Sequence, residues 1–202
     1  MKKGILLLLL GTAFVACAKS PGNQETGYKG IPWGVDVQTV AKQLNAAPDV
    51  SKVDSLFGND DRQLPRAKIL LKQGFSKLVT GKTGSDPDSI DALKHLSRLD
   101  AGDSSYCLFF RGRFGMALQE TPAKHYQTDH TRLMKRYGVI DKKVQYRANV
   151  RESAYLVQWH DADGIIILAR EIYGDDPAHQ HTDTQIIHMD KKLFDTVSSQ
   201  LK

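Results

Sequence analysis

The residues of this chain with the greatest capacity for chemistry lie near its C-terminal end. His179, His181, Asp183 and His188 follow Asp175 and Asp176 within fourteen positions. Neutral imidazoles and carboxylates at that density are ligands for zinc or copper. The spacing matches no established metal framework, so the competing expectation is a polar loop, and no cofactor is assigned. Two further stretches invite chemistry and fail its spacing rules. Thr80-Gly81-Lys82-Thr83-Gly84 lacks the glycine that a phosphate loop needs five residues before Gly81, where Ser76 stands. Asp161 and Asp163 supply only half of a calcium loop, and Asp163-Gly164 between two apolar runs signals a hairpin turn. There is no Gly-x-Ser-x-Gly elbow and no His-Glu-x-x-His pair. A binding or scaffolding role is therefore expected ahead of catalysis, with a hydrolase or metal-binding protein using His179 and His181 as the alternative.

The two cysteines, Cys17 and Cys107, are too few for a disulfide framework. Cys107 lies in the apolar run SYCLFF and is expected to be a buried, unreactive thiol. Cys17 stands in a different setting. Lys2 and Lys3 make a positive n-region and Ile5 to Val15 an apolar h-region, shorter than the roughly 20 residues of a membrane-spanning helix. Residues 1–16 thus predict a signal peptide. Phe14-Val15-Ala16-Cys17 resembles the lipobox of bacterial lipoproteins, with Phe14 where leucine is usual. That resemblance implies cleavage before Cys17 and a diacylglyceryl group on its sulfur, with enough acyl chain for stable anchoring in a membrane of the cell envelope. The alternative is Ala16-Cys17-Ala18 as an ordinary A-x-A cleavage site, which would release a soluble chain from Lys19. Residues 17–27 carry Pro, Gly and polar side chains without apolar period, as a flexible tether would.

Residues 28–202 predict a single α+β domain, an antiparallel sheet packed against two or more amphipathic helices. Asp36 is placed to cap a helix whose face carries Val37, Val40, Ala41 and Leu44. Residues 64–79 predict a helix to Gly74 and a short second element. Asp86 and Pro87 open a predicted helix with Ile90, Leu93, Leu96 and Leu99 on one face. Two strands are expected around Arg111-Gly112-Arg113, then a helix capped by Thr121, started by Pro122 and stopped by Gly138. Residues 142–190 predict four strands, and residues 191–201 a last helix or a fraying end.

The opening Gly30-Ile31-Pro32-Trp33-Gly34, with Tyr137-Gly138 and Trp159 later, resembles a group of uncharacterised bacterial envelope lipoproteins that open on G-I-x-W-G. The resemblance covers residues 28–50 and 104–190, implies residues 51–103 to be an insertion, and carries no activity. The formal charge is +5, or +3 without Lys2 and Lys3, too weak to predict a nucleic-acid partner. Arg132, Lys135, Arg136, Lys142, Lys143, Arg147 and Arg151 are nevertheless close in sequence, with Asp141 the acid among them. Such a stretch suits anionic headgroups or an ordinary solvated surface. The expected partners are the membrane, through the anchor, and an envelope protein held by the sheet or by the groove beside the helix at 122–137.

Overall fold

A computed structural model describes residues 26–53, 65–84, 90–91, 95–174, 176 and 179–201. The signal peptide, Cys17 and the tether to residue 25 lie outside the described residues, as do Asp86, Pro87, Leu93 and Asp175. The described chain runs α1 (Val37–Leu44), β1 (Val50–Val53), α2 (Pro65–Thr80), β2 (Leu96–Gly102), β3 (Ser105–Phe110), β4 (Arg113–Thr121), α3 (Tyr126–Tyr137), β5 (Lys142–Arg147), β6 (Ser153–His160), β7 (Gly164–Tyr173), β8 (His181–Asp190) and α4 (Lys191–Gln200).

The strands form one eight-stranded antiparallel sheet in the order β1-β2-β3-β4-β8-β7-β6-β5. Two four-stranded meanders are therefore joined through β4 and β8, in register from Met116 opposite Met189 to Thr121 opposite Thr184. Side chains alternate across the sheet, and both faces are covered. On one face Leu108, Met116, Leu156, Ile165, Ile167 and Ile187 form a single core with Leu70, Phe75 and Leu78 of α2 and with Phe194 and Val197 of α4. The opposite face carries two separate patches. Cys107, Phe109, Phe114 and Ala117 meet Tyr28, Ile31 and α1, whereas Val157, Trp159, Ile166, Leu168 and Ile186 meet Leu133 of α3. This double burial explains the unbroken apolar runs SYCLFF and GIIILA, which do not alternate with polar residues.

The local signals act where their partners are local. Asp36 Oδ1 accepts the Thr39 amide at 2.8 Å and Asn45 ends α1 in the left-handed region. Arg111 and Gly112, both at positive φ, make the two-residue turn between β3 and β4. Lys29 and Gly30 do the same between Tyr28 and Ile31, whose amides and carbonyls exchange bonds of 2.9 and 3.0 Å. That small hairpin begins an N-terminal strap. The Gly34 amide donates to the Phe114 carbonyl, Phe114 returns a bond to Val35, and Trp33 lies 5.0 Å from the Phe114 ring.

Three expectations are corrected. The helix placed over Asp86 to Leu99 does not continue through Leu96: β2 begins there, paired with β1 and β3. Leu96 joins the α2 core and Leu99 the Cys107 patch on the other face. An i, i+3 spacing marks one side of a helix and both sides of a strand, and burial on two faces decided for the strand. Thr121 does not cap α3; it ends β4, and Pro122 leads into the short 3-10 turn Ala123–His125. Gly74 does not divide residues 65–80, which form one helix. The segment 51–103 holds α2, β2 and all of β1 but Val50.

Gly74 has a packing role instead. A Cβ there would stand 2.5 Å from Leu156 Cδ1 and 3.3 Å from the Ala154 Cβ, so its absence lets α2 approach β6 closely. Gly74→Val is expected to lower stability by about 1–3 kcal/mol despite valine's better helix propensity. Denaturant unfolding checks this by a lower midpoint at unchanged slope.

Candidate binding groove

α3 covers the β7 and β8 part of its face and leaves a channel towards the edge strand β5. The early turns of α3 supply Tyr126, Gln127 and His130, β5 supplies Lys143 and Gln145, and β6 supplies Tyr155 and Val157. The register places Lys143 opposite Val157, Gln145 opposite Tyr155 and Arg147 opposite Ser153, so these β5 side chains share the face of α3. The groove has a volume of about 420 Å³, within the roughly 300–1,000 Å³ of small-ligand clefts.

Its rings are held from below. His130 packs edge-on to the buried Trp159 at 5.8 Å, and Tyr126 lies 6.3 Å from His130. The Arg170 guanidinium sits 5.3 Å from the centre of the Tyr126 ring. Burial pushes the Tyr126 hydroxyl above its usual range, and Arg170 partly offsets that shift. Gln145 Nε2 donates to the Tyr155 hydroxyl at 2.6 Å. That hydroxyl therefore accepts from Gln145, and its own proton is free to point elsewhere. On the outer side of β5, Lys77 Nζ donates to the Gln145 carbonyl at 2.8 Å, and Lys142 Nζ donates to the carbonyl of Leu78. The basic stretch is thus divided: Lys142 serves α2, Arg132 pairs with Asp129 at 3.0 Å, and Lys143 and Arg147 stay exposed beside the groove.

The histidine-rich segment is not one site. His179 is exposed and bonded to Asp176 at 3.0 Å. His181 stacks on Tyr173, whose hydroxyl donates to Asp183 Oδ2 at 2.6 Å. His188 is an odd number of residues along β8 from both His181 and Asp183, which puts it on the other face, where its ring meets Tyr28 at 5.1 Å. Burial, then Arg136, Arg132 and Lys29, lower His188 to about 4 and keep it neutral. Among the described residues no three His, Cys, Asp or Glu side chains form a metal-binding group. Thr80 to Gly84 is the end of α2, where Gly81 has positive φ and the Thr80 hydroxyl accepts the Lys82 amide. A phosphate loop would instead open a helix.

Sequence inspection missed two features. Tyr126, His130 and Tyr155 converge only through the pairing of β5 with β6 and the seat of α3, so no linear spacing announces the groove. The second is an acid pair. Glu171 faces Asp183 directly across β7 and β8 and is 3% exposed, with Oε1 lacking a hydrogen-bond partner. Burial first, and then Asp183, raises Glu171 to about 8 from an ordinary 4.5.

No family model, curated protein or solved structure matches this chain.

Two outcomes follow. Because its folded value is raised, Glu171 contributes stability that is complete below about pH 4.5 and is lost as pH rises through about 8. Glu171→Gln should remove that slope and stabilise the protein at pH 7 by on the order of 1–3 kcal/mol, read from unfolding at a series of pH values. The Cys107 thiol, fully buried and pushed up to about 12 mainly by burial, should resist iodoacetamide in the native protein and react after denaturation.

Proposed function

We propose that this chain is a lipid-anchored protein of the bacterial cell envelope with a non-catalytic binding role, and that the groove between α3 and β5 is its binding surface. The observation that carries the binding role is the groove itself, where aromatic rings and polar tips stand open on a framework of packed strands. Preorganised rings and a few oriented polar groups are what a ligand cleft requires. The anchor rests on the lipobox-like Phe14-Val15-Ala16-Cys17 behind its short apolar segment. Membership of the envelope lipoproteins that open on G-I-x-W-G is part of the same proposal. Its support is the strap role of Gly30 to Gly34 and the place of Trp159 beneath His130. So is the finer architecture, a sheet covered by amphipathic helices with residues 51–103 added to it, for which Phe75 on one face and Leu133 on the other are the supporting contacts.

Native mass spectrometry of the protein extracted from bacterial membranes in mild detergent tests the anchor. The expected mass is that of a chain beginning at an acylated Cys17, and Cys17→Ser should move the protein to the soluble fraction. A lipid-free chain beginning at Lys19 would refute it.

A further inference from the structure

We propose that the groove binds an acidic glycan, a pyranose chain bearing carboxylate or phosphate groups; this rests on the groove being the binding surface. Four features select that chemistry. The lining contains no carboxylate, while Lys143 is exposed within it and makes no ion pair among the described residues; Arg147 follows four positions later on the same side of β5. The complementary charge is negative. The rings of Tyr126, His130 and Tyr155 offer flat apolar surface for the C–H faces of sugar rings. Donors line the same groove: the Lys143 ammonium, and the Tyr155 hydroxyl whose lone pair is already engaged by Gln145 Nε2. Acceptor-rich hydroxyls and acid groups answer those donors.

A peptide strand is the competing occupant, and the edge of β5 disfavours it. Strand addition takes its affinity from main-chain hydrogen bonds along an open edge. At the middle of β5 the Gln145 carbonyl is occupied by Lys77, and lysines along an edge are a standard deterrent to pairing. The groove thus offers rings and side-chain donors where a peptide would need backbone.

The test is calorimetric titration of the full-length protein in detergent with three probes: tetragalacturonate, the neutral tetramer maltotetraose, and a hexaglutamate peptide. Tetragalacturonate is expected to bind and the neutral sugar at least tenfold more weakly. Added salt should weaken the acidic sugar, Lys143→Gln should cost about tenfold, and Tyr126→Ala should abolish binding with circular dichroism unchanged. Bound sugar should also protect Lys143 from acetylation, a readout independent of affinity. Binding of hexaglutamate but not tetragalacturonate, with Lys143 protected, would overturn the glycan assignment and leave the groove as the binding surface. Sugar binding indifferent to Lys143→Gln and Tyr126→Ala would overturn both. Absence of binding by either acidic probe would overturn the glycan assignment.

Discussion

The structure depends on the pairing of β4 with β8. Each meander on its own would be a four-stranded sheet built from neighbours in sequence, and β4 and β8 would be edges. Their union from Met116 opposite Met189 to Thr121 opposite Thr184 makes them interior strands and leaves β1 and β5 as the only edges among the described strands. It also joins Met116, Ile187, Met189 and Ile165 in one continuous core beneath α2 and α4. The contact is long-range, so it is costly to form and rewarding only once both meanders exist.

The rest of the architecture follows from what that wide sheet must cover. One face is closed by α2 and α4, which requires Gly74 at the crossing over β6. On the other face the strap with α1 meets one apolar patch and α3 meets a separate one. Because α3 seats Leu133 over Ile166, Leu168 and Ile186, it cannot also cover the region between β6 and β5. The proposed binding groove is that remainder, and its rings are fixed by the packing that fills the neighbouring patch. Glu171 shows the opposite case, a carboxyl carried inside by the same pairing of β7 with β8 and left without a partner for Oε1.

Local chemistry was legible in the sequence. The Asp36 cap, the Arg111-Gly112 turn, the Asp161 to Gly164 turn and the stop at Gly138 are each set by residues within a few positions, and each stands where the sequence puts it. The strands after residue 142 were legible because β-branched and aromatic residues run between clear turns. Leu96 to Leu99 was not, because only pairing with β1 and β3 distinguishes a doubly buried strand from a helix of the same spacing. The expectation of a partner held by the sheet or by a groove beside the helix at 122–137 named none of the groove's residues, since Tyr126 and Tyr155 meet only through tertiary packing. The histidine cluster misled for a related reason: proximity in sequence along β8 sends His188 to one face and His181 to the other.

Native-state hydrogen exchange across β4 and β8 tests most directly whether one cooperative sheet underlies both the core and the groove. The account predicts that amides bonded across this junction exchange among the slowest, at the same global opening energy as those of β3 and β6. Exchange of β1 to β4 through a separate, lower-energy opening while β5 to β8 stay protected would contradict it, and would leave the groove on an independent half.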